Sequence, residues 1–259
     1  MKYLFIVACY PEGHPNLKIF DEIISPNNEK YCQKHDFKYV VIRKEHIPTP
    51  FRGDYSWNKI LTIQTLIENG KLNDGDIIIN QDPDMIWHNH KYSFEPSENK
   101  SMRIAIDSGN TFCHGSFGMR INTWTRNYLN NALDEDRFQR LIHTNTIHEG
   151  MPNRIPTSHV REFREQAMFY KLFGIKRHSQ IPFTSLPNNG IHSDITEDTL
   201  YSVDDFNDHV ELMPPNYNVT IWPEETPDLQ FYINKLDKKE DVYLRHFTGS
   251  NWEVCKNWL

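Results

Sequence analysis

The chain has 259 residues, 38% of them hydrophobic and 13% aromatic, with a formal net charge of −7. That length holds a substantial core, and the aromatic content excludes a disordered chain. Basic residues are scattered under a negative net charge, which excludes nucleic-acid binding, since that needs a concentrated basic footprint. The four cysteines (Cys9, Cys32, Cys113 and Cys255) form no CxxC pair, so reduced thiols are expected rather than structural zinc or a disulfide framework.

KYLFIVACY opens the chain as a strongly β-prone run, broken by Pro11, Gly13 and Pro15. It is too short to span a membrane and lacks a small-residue cleavage site, so a buried first strand in a cytoplasmic protein is expected. A helical stretch ending near Cys32–His35 precedes a second apolar run at Phe37–Ile42. Residues 45–55 read as loop. Ser56 then serves as the N-cap of a helix to about Glu68, with Ile60, Ile63, Leu66 and Ile67 on one face and Gly70 as its stop. Asp76–Asn80 and Met102–Ile106 read as the third and fourth strands. This alternation over residues 1–107 predicts a parallel, doubly wound α/β half.

Ser116–Ile121 reads as a further strand and Thr123–Leu133 as a helix. Residues 144–160 are polar and read as a loop or lid. Arg161–Phe173 reads as a helix stopped by Gly174. From 178 to 241 periodicity is weak, and a short strand then leads into RHFTGSNW.

The stretch DIIINQDPDMIWHNH ends a buried strand in two aspartates one residue apart. Asp82 and Asp84 admit three readings: a turn, a metal site or half of an acid/base pair. In open parallel sheets ligands sit at the carboxyl ends of strands, and i and i+2 side chains of an extended loop point the same way. Two such carboxylates suit a divalent cation, with a diphosphate supplying further oxygens. Apolar residues on both sides argue against a solvated turn. His246, after the last strand, can complete a metal set, and Gly249 allows backbone N–H groups to approach a phosphate. The plain alternative is an ordinary core or surface histidine. Mixed carboxylate and imidazole ligands beside a diphosphate favour manganese, with magnesium as the alternative.

These residues together resemble a known family. KYCQKHDFKYVV, SWNKILTIQTLIENG, DIIINQDPDMIWHN, GSFGMRINTWT, REQAMFYKLF and RHFTGSNW are similar, in order and approximate spacing, to motifs of metal-dependent, nucleotide-sugar-using glycosyltransferases of the A-type fold. The similarity is to the galactosyl/mannosyl/xylosyltransferase group that includes plant xyloglucan xylosyltransferases, with a weaker likeness to glycogenin-type enzymes. It implies one A-type domain over 1–259: a Rossmann-like, mostly parallel sheet flanked by helices, and an irregular acceptor-side half from 108. It implies a metal held by Asp82, Asp84 and His246, with Asp82 also facing the ribose. Ala8, Cys9 and Tyr10 would border the nucleoside, Lys59 would approach the donor, Ser116 and Gly118 would line the donor sugar, and Gly249 and Ser250 would lie by the diphosphate. Glu165 and Gln166 would face the anomeric carbon. The competing readings are a solvated Lys59 and a Glu165 paired with Arg161 at i−4.

The implied reaction moves a sugar from a nucleotide-diphosphate donor, UDP favoured, to a glycan, glycoconjugate or other hydroxyl acceptor. Inversion would need a base, for which Asp194, Glu165 and Asp107 are the candidates; retention by same-face attack needs only a polar group such as Gln166. The resemblance favours retention. Gln81, before the first aspartate, departs from the family pattern, and so does the lack of an N-terminal anchor. A nucleotidyltransferase is the second reading, although CYPEGHPN lacks the Gly-rich basic loop expected of one. A non-catalytic sugar-binding protein is the third.

Overall fold

The computed structural model describes residues 1–106, 112–146, 165–175, 191–213, 217, 219–221 and 243–247. The chain opens with β1 (Lys2–Ala8), then α1 (Pro15–Ile19), a π-helical turn at Phe20–Ile24, and α2 (Ser25–His35). Next come β2 (Lys38–Arg43), α3 (Trp57–Glu68), β3 (Ile77–Gln81), β4 (Met85–Trp87), β5 (Met102–Ile106) and β6 (Phe112–Arg120). Helices α4 (Thr123–Leu133), α5 (Glu135–Thr146), α6 (Glu165–Leu172) and α7 (Val203–His209) follow, and then β7 (Val210–Met213), β8 (Val219–Ile221) and β9 (Leu244–Phe247).

The main sheet has the order β2-β1-β3-β6-β5-β7. Strands β2, β1 and β3 run parallel, β6 lies antiparallel to both β3 and β5, and β5 runs parallel to β7. The expected parallel sheet therefore holds with one reversal. Strand β6 starts at Phe112, ahead of the expected Ser116, and lies between β3 and β5, the two strands expected at Asp76–Asn80 and Met102–Ile106. Alternation along β1 sorts the two faces. Leu4, Ile6 and Ala8 pack with residues of α1 and α2, whereas Phe5 packs with Trp57, Ile60 and Ile63 of α3. Strand β3 divides the same way: Ile77 and Ile79 face α2, and Ile78 faces α3. Apolar side chains on both faces explain its unbroken isoleucine run.

Helix α4 begins where expected because Asn122 and Thr125 form a reciprocal capping box. Ser56 makes no side-chain cap; the Asp54 carboxylate accepts the Ser56 N–H instead, at 2.7 Å. Helix α7 and strand β7 are regular structure in the segment read as weakly periodic, and β7 joins the main sheet beside β5. Helix α5 runs three residues into the segment read as polar loop.

A second sheet, β4-β9-β8, positions the site. Strand β9 runs antiparallel to β4 and pairs Met85 with His246, and the Phe247 N–H donates to the Asp84 carbonyl at 2.8 Å. Segments more than 150 residues apart are thus laid edge to edge at the acidic turn.

Candidate functional site

Asp82 follows β3 with the side-chain parity of Ile78 and Asn80, toward α3, where Lys59 waits. Lys59 Nζ lies 2.6 Å from Asp82 Oδ1 and 2.8 Å from Glu165 Oε1, and donates to the His114 carbonyl at 3.4 Å. Both Lys59 and Glu165 are buried. Burial alone would lower the Lys59 pKa, but the carboxylates of Asp82 and Glu165 reverse that and hold it above the ordinary lysine value. Burial would raise Glu165, yet Lys59 and His114 bring it down to about 2. His114 is fully buried and its pKa is lowered to about 4, chiefly by burial. Its ring Nε2 lies 3.2 Å from the Tyr128 hydroxyl.

The other side of Asp82 faces Asp84 and His246. One ligand atom from each of the three residues lies within 4.8 Å of the others. His246 Nε2 is 3.3 Å from Asp84 Oδ1, a buried oxygen that this ion-pair contact reaches. The second ring nitrogen, Nδ1, lies 3.8 Å from Cys113 Sγ, which steadies the ring with Nε2 toward the carboxylates. Burial would lower His246, but Asp84 overrides it and the pKa stands well above the ordinary imidazole value. At Asp82 burial raises the pKa, Lys59 pulls it down and Asp84 pushes it up, with a net rise.

Gly115 closes the space between these groups. A Cβ there would lie 2.9 Å from Asp82 Oδ2, 3.1 Å from His246 Cε1 and 2.8 Å from Met85 Cε. The Asp82 N–H donates to the Gly115 carbonyl at 2.7 Å, so β6 also holds the acidic turn by its backbone. Two carboxylates and an imidazole, and a cradle that a methyl group would fill, together suit a divalent cation.

The turn is clamped from behind by α2. Asn27 exchanges two hydrogen bonds of 2.9 Å with the backbone of Trp87, as a neighbouring strand would. Gln81, off the family pattern, is fully buried; its amide donates to Asn28 Oδ1 at 3.0 Å and to the Met85 carbonyl at 2.9 Å. An apolar residue at 81 would leave that carbonyl without its donor. Tyr31 stacks on Trp87 with ring centroids 3.8 Å apart and planes 5° apart.

Gln166 accepts the His114 N–H at 3.2 Å and donates to the Tyr170 hydroxyl at 3.1 Å, beside Glu165. Tyr10 lies near the cluster: burial raises its pKa, and the charges of Asp84 and Asp82 raise it further. Ala8 is core, and the Cys9 thiol turns to the Ile42 carbonyl at 3.9 Å. Ser116 is buried beside Gln81 in the β3–β6 register, its hydroxyl unpartnered. Gly118 is set two residues further along and packs against the Phe94 backbone and Pro96. Asp194 departs from the expectation of a base. It is exposed and its N–H binds the Gly174 carbonyl, past the end of α6 opposite Glu165. Asp107, Arg161, Gly249, Ser250 and Cys255 lie outside the described residues; Cys9, Cys32 and Cys113 are free and buried.

No family model and no curated protein matches the chain. Among solved structures, 23 chains match. A glycosyltransferase involved in the glycosylation of the major capsid of PBCV-1 superposes with a TM-score of 0.52 at 11% identity, over 99% of this chain and 97% of that one. The chain has the A-type glycosyltransferase fold. Mouse xyloside xylosyltransferase 1 in its apo form is a weaker likeness, with a TM-score of 0.46 and 10% identity over 96% of this chain and 98% of that one. A mutant of Drosophila β1,4-galactosyltransferase 7, in complex with manganese, UDP-Gal and xylobiose, is weaker still: TM-score 0.33 and 16% identity over 63% and 74%. No described helix is long and apolar enough to cross a membrane.

Proposed function

We propose that the protein is a metal-dependent glycosyltransferase that moves a sugar from a nucleotide-diphosphate donor, UDP favoured, to a glycan or glycoconjugate hydroxyl. The observation that carries this reading is the convergence of Asp82, Asp84 and His246 at the strand end of an A-type fold. Manganese, or magnesium in its place, would be held by these three residues and would neutralise the departing diphosphate. Tyr10, just past the end of β1, would border the same space from the nucleoside side, and Gly115 lets β6 approach Asp82 and His246 closely.

Retention is the favoured stereochemistry. Of the three carboxylates considered as a base, Glu165 is tied to Lys59 with a pKa of about 2, which makes it a poor proton acceptor, and Asp194 sits at the far end of α6. Same-face attack avoids the need: the acceptor oxygen bonds to the anomeric carbon as the C–O bond to the diphosphate breaks, and the departing phosphate oxygen takes the proton. Gln166 is the polar side chain assigned to that face.

The test is a screen of nucleotide sugars with and without Mn²⁺, by thermal shift and by donor hydrolysis. Metal-dependent stabilisation by a UDP-sugar, lost in Asp84→Ala, is expected. A nucleotide that binds equally well without metal, and in Asp84→Ala, overturns the reading. Binding without hydrolysis or transfer would favour a sugar-binding protein, and release of diphosphate from a nucleoside triphosphate would favour a nucleotidyltransferase.

A further inference from the structure

Lys59 is the one described lysine that the fold buries beside the acidic turn. A solvated helix lysine and a donor-contacting lysine were its two expected roles, and the geometry suits neither. An ammonium group has three N–H donors. Here one points to Asp82 Oδ1 at 2.6 Å, one to Glu165 Oε1 at 2.8 Å and one to the His114 carbonyl at 3.4 Å. None is left for a ligand. The side chain is 7% exposed and Glu165 behind it is 3% exposed, so a substrate would have to break a buried pair to reach it. What Lys59 does touch is a candidate metal ligand, whose Oδ1 it occupies while Oδ2 stays on the Gly115 side.

We propose that Lys59 is a positioning residue that fixes Asp82 as a one-oxygen ligand, and that its charge behind the cluster keeps the site's affinity for a bare divalent cation low, so that the cation enters with the diphosphate. This rests on the metal-dependent reading above. Two effects of the lysine compete. Orienting a short aspartate side chain favours metal binding modestly, since little rotamer freedom is lost. A positive charge in a water-poor setting close to a cation disfavours binding strongly. Repulsion therefore dominates for the cation alone. A diphosphate brings negative charge that offsets it, and the oriented Asp82 is then already in place. Glu165, spent on holding the ammonium, also ties the start of α6, and with it Gln166, to the same point.

The experiment is titration of Mn²⁺ alone, of UDP alone and of UDP with Mn²⁺, into the native protein, Lys59→Met and Lys59→Arg, with free Mn²⁺ read by electron paramagnetic resonance. Lys59→Met is expected to bind Mn²⁺ alone at least about tenfold tighter than the native protein. The gain in UDP affinity conferred by Mn²⁺ should shrink, and UDP alone should bind unchanged. Lys59→Arg keeps the charge and is expected to bind Mn²⁺ alone as the native protein does. Loss of a merely structural residue would weaken metal binding, so equal or weaker Mn²⁺ binding in Lys59→Met overturns the proposal. Weaker binding of UDP alone in Lys59→Met does so too, because it would show a direct donor contact. If Lys59→Met fails to fold because Glu165 is left buried without its partner, Lys59→Met/Glu165→Gln removes both charges, and a smaller gain of the same sign is expected. A native protein whose UDP-sugar affinity ignores Mn²⁺ would overturn the metal-dependent reading itself; native metal dependence without the Lys59→Met gain overturns this inference alone.

Discussion

The two sides of Asp82 are built on opposite principles. On the α3 side the charges are paired: Lys59 reaches two carboxylates and a carbonyl, and Glu165 answers it from α6, although Glu165 Oε2 and His114 Nδ1 have no hydrogen-bond partner. On the β9 side negative charge is crowded and only partly matched. The Asp84 carboxylate sits beside that of Asp82, and the His246 ring, 3.3 Å from Asp84 Oδ1, is held against both. Like charges side by side repel unless a cation lies between them, so on the proposed reading the β9 side is where a cation would complete the structure and the ion-paired α3 side is scaffold.

The comparison breaks first on the β9 side. Asp84→Ala or His246→Ala should lower Mn²⁺-dependent UDP-sugar binding and transfer by about a hundredfold, with little loss of Tm, measured by calorimetry and thermal melting. A large loss of stability would place these residues with the scaffold.

On the α3 side the expected effect is on acid stability. His114 has its folded pKa lowered from 6.5 to about 4, so the unfolded chain takes up that proton first, and stability is lost as pH falls from 6.5 toward 4. Glu165 is lowered from 4.5 to about 2, so its contribution is present above 4.5 and is lost as pH falls toward 2. Each loss is on the order of 3 kcal/mol. Unfolding free energy followed from pH 7 to 3 should fall in that window, and His114→Gln should flatten the upper limb.

The clamp from α2 comes next. Asn27→Ala removes both hydrogen bonds to Trp87 and should cost about 2 kcal/mol in denaturant unfolding. Native-like stability would mean that the Tyr31–Trp87 stack alone holds β4. The smallest effect expected is that of Gly115→Ala. Met85 Cε can yield, but Asp82 and His246 must shift by a few tenths of an ångström, which should weaken Mn²⁺ binding by about tenfold, roughly 1.4 kcal/mol. Unaltered Mn²⁺ affinity would show that the cradle has slack.

Much of this was legible before any coordinates. The strand–helix alternation over residues 1–107 carried the α/β class, and the acidic pair and RHFTGSNW, with the family resemblance, carried the three candidate ligands, because strand patterning and ligand chemistry are local properties of side chains. Helix α4 was legible at about its true extent, and its start is set by a cap that lies within four positions of sequence. Gly115 was passed over beside Ser116 and Gly118, although HGS at a strand centre was a signal that a backbone must approach something closely. Asn27 and Asn28 carried none, since a buried asparagine on a helix is indistinguishable by sequence from a solvated one.

By itself, then, the sequence determined an α/β chain with a carboxylate pair at a strand end and a histidine able to join it. Only the tertiary structure decided that β6 would run backwards between β3 and β5, and that Gln81 would serve as a strut. It also decided that Lys59 would be sealed between Asp82 and Glu165. The physical reason is the same in each case. Strand order and the pairing of buried charges are contacts between segments far apart in the chain, and no periodicity within one segment records which partner lies across the gap.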